Sequence, residues 1–324
     1  METLCLYRGK SGGRCQESKS TDSDYCYWHD SSVDKFGDDI KEKLEQRAAS
    51  GVLMEGFQLK KTNLDGINLI NPDGQPYRLI NSNLCRASLQ GAHLYRVDLS
   101  GSSLLKADLS KANLRRSNLE NCDLLGVNLK NAGIEHTHFG NKILQEKKGK
   151  AFCQQGKHKE ALECFEEAGE VARNLRRHCE TQGMFTRAGH FFYKEMRLHR
   201  FRLPRYSFAR LLSWLVDLVS GYGEKPARVI VFSASFILFC SLFYFLFGIQ
   251  DSGQLVIYQP GFSLSENLRG WLDSLYFSVV TFTTLGYGDL TPVGPSRFFA
   301  ALEAFIGSFT LALFVVVFVK KMTR

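Results

Sequence analysis

The strongest constraint in this chain of 324 residues is a period of five. From Leu59 to Phe139 every fifth residue is large and apolar, leucine at nearly all of them and Ile134 and Phe139 at the end, with Gly74 the one break. Two residues before many of these stands a mostly small side chain: Ala87, Ala92, Val97, Ser102, Ala107, Ala112, Ser117, Cys122, Val127 and Ala132. A helix repeats every 3.6 residues and a strand every 2, so neither keeps such a pattern on one face. The chain must turn once per repeat and put one large and one small residue inside on each side. At Asn71, Pro72, Asp73 and Gly74 the phase survives while the leucine is lost, which predicts a bulging corner.

These A-(D/N)-L-x-x units resemble the pentapeptide-repeat family. The resemblance implies a right-handed quadrilateral β-helix over residues 51–142, a little over four coils at four units per coil. With about 4.8 Å between stacked strands, the rod is roughly 20 Å long. Some members of that family imitate DNA with an acidic rod. Residues 51–140 hold ten Lys plus Arg and eight Asp plus Glu, a balance that argues against a mimic and against a nucleic-acid partner. The outward charges read as a solvated face, and the small polar steps as a surface for a second rod or an unknown cytoplasmic regulator.

Mean hydropathy is -0.17, an average that hides two apolar stretches. Val229 to Gln250 is 22 residues without a formal charge, and Ala304 to Val319 is 16, lengthened by Phe298 to Glu303. Each can cross a hydrocarbon core of roughly 30 Å at about 1.5 Å per residue. The long polar segment ahead of the first excludes a signal peptide. The nine cysteines, an odd number, fit reduced cytoplasmic thiols better than a disulfide framework.

Between the two stretches an aromatic-rich run, Trp271 to Val280, leads into TFTTLGYGD, Thr281 to Asp289. TLGYG resembles the selectivity filter of the prokaryotic potassium-channel family. The resemblance implies a transmembrane pore domain over 227–321, two helices and a re-entrant pore helix, in which four identical loops aim backbone carbonyls at K⁺ as the permeant ion. The matching residues are Thr284, Leu285, Gly286, Tyr287 and Gly288, with Asp289 at the outer end. Glycines reach the dihedrals that such a loop needs. Leu285 stands where valine is commoner; because a carbonyl does the coordinating, the expected effect is on packing behind the filter. One loop per chain implies a homotetramer in the bilayer. The overall class is a mixed membrane protein. The alternative is a membrane-anchored solenoid scaffold whose pore is non-selective or non-conducting. No histidine pairs with a nucleophile in a recognisable motif, so no enzyme is expected.

Further sites follow from spacing and charge. Cys5, Cys15, Cys26 and His29, spaced C-x9-C-x10-C-x2-H, suit one structural, tetrahedral zinc in a module over 1–30. Residues 31–50 read as a charged linker or short helix. Over 143–203, Gly156, Ala161, Phe165 and Ala168 resemble one tetratricopeptide helix pair, an α-helical adaptor. Over 204–226, Phe208 to Val219 reads as an interfacial helix with Arg210 and Asp217 off its apolar face, followed by a second GYG, Gly221 to Gly223, expected as a turn. Arg202, Arg205, Arg210, Lys225 and Arg228 precede the first span, and Lys320, Lys321 and Arg324 follow the second. Both termini are thus expected in the cytoplasm of a multi-pass cell-membrane protein, with residues 251–297 outside and Ser274 to Thr284 dipping back. Along the second span, Glu303 should face protein behind the filter or near the outer mouth. Gly307 is the match to a family hinge, with close helix packing as its other reading, and Thr310, Leu311, Phe314 and Phe318 are candidates to line the cavity. Only Lys320 to Arg324 follows that span, and no voltage-sensing helix precedes it. Regulated opening is therefore expected to come from the N-terminal part or the bilayer.

Overall fold

In the solenoid, from Arg78 onward, each side pairs in parallel with the residue 20 positions later: Arg78 with Asp98, Asn83 with Ser103, and so on to Asn118 with His138. Four units of five therefore close one coil. In the first coil the offset is 25, Gln58 to Asn83 and Asn68 to His93, and the parallel strands β1 (Met54–Glu55) and β2 (Leu79–Ile80) keep the same spacing. One whole unit is looped out between Leu69 and Leu79, with Pro72 to Pro76 exposed. The expected bulge is thus an excursion of one complete repeat, which is why phase survives the loss of the leucine.

The corners explain the rest of the consensus. The amide three residues after each leucine returns to its carbonyl, as in Ala87 to Leu84 and Ala92 to Leu89, both 3.1 Å. The third turn residue is left-handed whatever its type, for example Arg86 (φ 56), Lys106 (φ 55) and Asn121 (φ 59), the geometry that a type II turn demands. Asp or Asn precedes many of the leucines because its side-chain oxygen accepts the amide two residues on, Asp98 from Ser100 at 3.0 Å and Asp108 from Ser110 at 2.9 Å. Asn118 and Asn128 also donate to Asp98 and Asp108 one coil away, at 3.0 and 2.9 Å. Leu59, Leu64, Leu84 and Leu104 are fully buried, as are Ala92 and Ser117 at the small positions.

An open coil end exposes unpaired strand groups. Here both ends are covered. At the first, the Gln58 amide donates to the Trp28 carbonyl at 2.8 Å, and Trp28 stacks on Phe57 at 4.9 Å. Within 31–50, expected as a charged linker or short helix, α1 (Ile40–Ala49) forms and buries Ile40, Leu44 and Ala48 in the same core. At the other end lie α2 (Leu144–Gln154), α3 (His158–Thr181) and α4 (Phe185–Arg202), with Gly156 (φ 75) in the turn between α2 and α3. Asn174 donates to the Val127 carbonyl (2.8 Å), His178 to Ala132 (2.9 Å), and Arg187 to Ile134 (2.7 Å) and to Thr137. The helical adaptor is thus also the cap of the last coil.

The computed structural model describes residues 4–10, 12–37 and 39–323. Arg324 of the basic C-terminal flank lies outside the described residues. The chain divides into two units, Met1–Arg202 and Leu203–Arg324. The second begins with α5 (Phe208–Ser220), then α6 (Pro226–Phe247), the hairpin β3 (Ile249–Asp251) and β4 (Gln254–Val256), α7 (Leu264–Phe282), β5 (Leu290–Pro292) and α8 (Ser296–Met322). Helices α6 and α8 are long and apolar enough to cross a membrane. Helix α5 is amphipathic, but its polar stripe is turned into the protein: Ser213 bonds Tyr222 at 2.7 Å and Asp217 pairs with Arg228 at 2.7 Å. What it exposes is apolar, including Phe208, Leu211, Trp214 and Leu218. The GYG at 221–223 is a turn, with all three residues at positive φ. The β3–β4 hairpin turns at Ser252 (φ 46) and Gly253 (φ 90), the signs of a type I′ turn. Strand β5 pairs with the other edge of β3, Asp251 opposite Leu290, so the chain just after TLGYGD is tied back to the end of α6.

Candidate functional site

Helix α7 starts with a capping box, Ser263 and Glu266, and ends at Phe282, seven residues before Asp289. Its last turn is closed by amides of the loop itself: Thr283 to Val279, Thr284 to Thr281 and Leu285 to Val280, all 3.0 Å. Beyond it, Thr284, Gly286 and Gly288 have φ of 58, 56 and 82, while Leu285 and Tyr287 stay negative. A regular strand points successive carbonyls to opposite sides. Alternating the hand of the backbone cancels that rotation, so successive carbonyls turn to one side. Glycine meets the left-handed requirement without strain at 286 and 288, and Thr284 meets it as a side-chain-bearing residue. Tyr276 on α7 donates to Asp289 at 2.8 Å, which anchors the far end of the loop to the helix that leads into it. Leu285 and Tyr287 are 58% and 67% exposed in the single chain; the expected packing behind the loop is not made within it.

Helix α8 passes behind this loop. Glu303 is buried, as expected, between α6 and α7, accepting from Tyr244 and Ser278 at 2.5 Å each. Gly307 lies against the end of α7: a Cβ there would stand 2.1 Å from the Phe282 carbonyl oxygen. Of the two readings of Gly307, close packing is the one with a contact. Thr310, expected at the cavity, is 5% exposed and lines an apolar cleft of about 590 Å³ among α5, α6 and α8. Leu311, Phe314 and Phe318 lie outside that cleft, Phe314 and Phe318 stacked at 5.6 Å.

The second constellation is in the first unit. The ligand atoms of Cys5, Cys15, Cys26 and His29 all lie within 4.8 Å of one another. Antiparallel bridges Leu4–Ser18 and Arg8–Arg14 bring Cys5 and Cys15 together, and a tight turn, with His29 and Asp30 amides both on the Cys26 carbonyl, supplies the other two. Cys15 and Cys26 sulfurs are 3.8 Å apart, and His29 Nδ1 is 3.2 and 3.6 Å from those of Cys26 and Cys5. A tetrahedron with metal–sulfur bonds of about 2.3 Å has edges of about 3.8 Å, so the set fits a single ion. All the cysteines are free thiols. Burial pushes the Cys26 thiol up to about 12 and raises Cys15, while burial lowers His29 and keeps its ring neutral. A cation at the centre would reverse the thiol shifts. His29 Nε2 donates to the Glu55 carbonyl at 2.8 Å, leaving Nδ1 as the lone pair. Tyr7 stacks on the ring at 3.9 Å. These partners were not legible beforehand, because Glu55 belongs to the first coil and no spacing rule links it to His29.

A protein-family model for ion channels matches residues 230–324, and one for pentapeptide repeats matches eight copies over 78–105 and 107–141. The chain joins a pentapeptide-repeat domain to an ion-channel-like domain. The channel-like domain carries the two membrane-length helices, and both domain types are consistent with a non-enzymatic function. Two-pore potassium channel 1 of Arabidopsis thaliana is 37% identical over 93 residues, 28% of this chain and 22% of that protein. Protein LctB of Bacillus caldotenax is 38% identical over 68 residues, 21% of this chain and 51% of that protein. This chain therefore spans between about a fifth and a half of the curated relatives it matches. Among solved structures, alr5209, a pentapeptide repeat protein from Nostoc, is 30% identical over 31% of this chain and 85% of its own, with a TM-score of 0.27. The pentapeptide repeat protein Rfr23 from Cyanothece is 31% identical over 26% and 54%, with a TM-score of 0.24.

Proposed function

We propose that this chain is one subunit of a potassium-selective channel in which four copies bring their TLGYG segments around one axis. The observation that carries this reading is the backbone of Thr284 to Gly288, left-handed at every second residue. A cation that sheds its water needs replacement oxygens, and four carbonyls per layer supply them without any side-chain charge. One chain forms one wall of such a ring. The exposed Leu285 and Tyr287 are the surfaces that neighbouring copies would cover. Helix α7 serves as the re-entrant pore helix, and its C-terminal end, the negative pole of the helix dipole, faces the ion on the inner side. The basic flanks support cytoplasmic termini, with Asp289 at the outer mouth. The potassium-channel name of the Arabidopsis relative supports the choice of ion.

Cys5, Cys15, Cys26 and His29 hold one structural zinc, which when bound joins four side chains tetrahedrally. The Glu55 carbonyl orients the imidazole, and Tyr7 and Phe57 shield it from water.

The test is ion flux through purified protein in liposomes under opposed K⁺ and Na⁺ gradients. K⁺ should pass far faster than Na⁺, and Gly286→Asp, which puts a side chain on a left-handed residue and a charge beside the ion path, should abolish the difference. Equal permeability to the two ions overturns selectivity.

A further inference from the structure

The membrane-length helices enclose one carboxylate. Glu303 on α8 is 1% exposed, and each of its oxygens lies 2.5 Å from one hydroxyl: Oε2 from that of Tyr244 of α6 and Oε1 from that of Ser278 of α7, which is also 2.9 Å from the Ile237 carbonyl of α6. The Cys240 thiol of α6 is the remaining titratable group beside it, and no cation faces it among the described residues. Burying a carboxylate without a cation costs several kcal/mol, and an apolar side chain of similar size would fill the space at less cost. Its position gives it another use. Ser278 and Phe282 are successive turns of α7, and Glu303 and Gly307 are successive turns of α8. The hydroxyl–carboxylate bond joins the first of each pair, and backbone-on-backbone contact joins the second. These two rungs fasten α8 to the last turn of α7, two residues before Thr284.

We infer that Glu303 is a positioning residue for ion selection, holding the base of the TLGYG loop in register with α8, and that a proton on Glu303 releases the upper rung. The inference rests on the potassium-channel reading. As a carboxylate, both oxygens accept. Once Oε1 is protonated, its hydrogen faces the Ser278 oxygen, and Ser278 turns its own proton to the Ile237 carbonyl 2.9 Å away, so the charge-assisted bond to Glu303 is lost and at most a weaker, reversed one remains. Carbonyl coordination tolerates displacements well below 1 Å before the ion loses contacts, so a loosened α7 shows first as lost discrimination.

The experiment measures the K⁺/Na⁺ permeability ratio and open lifetime of the full chain in planar bilayers over a series of pH values. Glu303→Gln should lower the ratio by about tenfold or more, the scale of one charge-assisted hydrogen bond, and flatten the pH profile. Glu303→Asp, which keeps the charge, should retain a pH-dependent ratio. Ser278→Ala, which also removes the bond to the Ile237 carbonyl of α6, and Tyr244→Phe each delete one hydroxyl and little volume, so together they decide the matter if Glu303→Gln does not assemble. Each should lower the ratio, and Ser278→Ala should add nothing in the Glu303→Gln background. Conducting wild-type protein together with wild-type ratios and pH profiles in all of these variants overturns this inference alone. Wild-type protein that passes no ion overturns the channel reading and this inference with it.

Discussion

His29 reaches the Cys5 and Cys26 thiols through Nδ1 and the first coil of the solenoid through Nε2, so one imidazole fastens the N-terminal module to the rod. Metal there should stabilise the cap in addition to holding its own loops. Elemental analysis should find about one zinc per chain, lost when Cys15→Ser is combined with Cys26→Ser. Metal at a hundred times its Kd adds about 2.7 kcal/mol, so for a unit of roughly 200 residues the double variant should unfold about 5–10 °C lower. Unchanged Tm and zinc content count against the site. The pH dependence has a definite sign. Burial lowers His29, so as pH falls below about 6.5 the unfolded chain takes up the proton first and stability drops. Protons also compete for the thiolates that a metal requires, so zinc release and loosening of the cap should occur together on acidification.

Among the elements, the looped-out unit of the first coil offers a sharp test of what sets the register. Removing Pro72 to Pro76 joins Asn71 to Tyr77 and leaves five residues from Leu69 to Leu79. Asn71 then falls at the third turn position, where Asn tolerates the left-handed backbone, and Tyr77 falls at the inward position two before Leu79. The shortened protein should fold with its thermal midpoint within a few degrees of the parent, because changing loop length costs on the order of 0.6 kcal/mol per doubling. Removing only four of those residues moves Leu69 out of phase with Leu79 and should broaden or abolish the transition measured by circular dichroism. Helix α5 teaches a different lesson about periodicity. Its amphipathic pattern is real, but Asp217 and Ser213 are held by Arg228 and Tyr222, so the polar stripe serves the protein and the apolar arc meets the surroundings.

For the whole molecule, the pentapeptide-repeat unit is covered at both coil ends and so does not extend by end-to-end pairing. The covalent route from it to the channel-like unit runs through Arg202 and Leu203 into α5 and α6. If the N-terminal unit biases the gate, a chain beginning at Arg205 should still form the tetramer while its single-channel open probability differs from that of the full chain at the same voltage and tension. The same open probability in both would make the rod and its caps assembly or docking modules.

Local patterns alone determined a good deal. The period of five announces a coil that turns once per unit, because a leucine at every fifth position admits no regular helix or strand. Two apolar stretches around TLGYGD define the membrane-length helices, and the four members of the Cys–His cluster are readable from spacing. The tertiary structure decided what depends on partners distant in the chain. It put α1, readable beforehand only as a charged linker or short helix, into the core, because a coil end leaves apolar side chains and strand groups that some other segment must cover. It assigned Gly307 to packing through the Phe282 carbonyl 25 residues earlier, and it gave Glu303 its two hydroxyls from separate helices. Thr310 faced the cleft beside α5 for the same reason. A residue's periodicity states which neighbours share its face, and only folding states what that face meets.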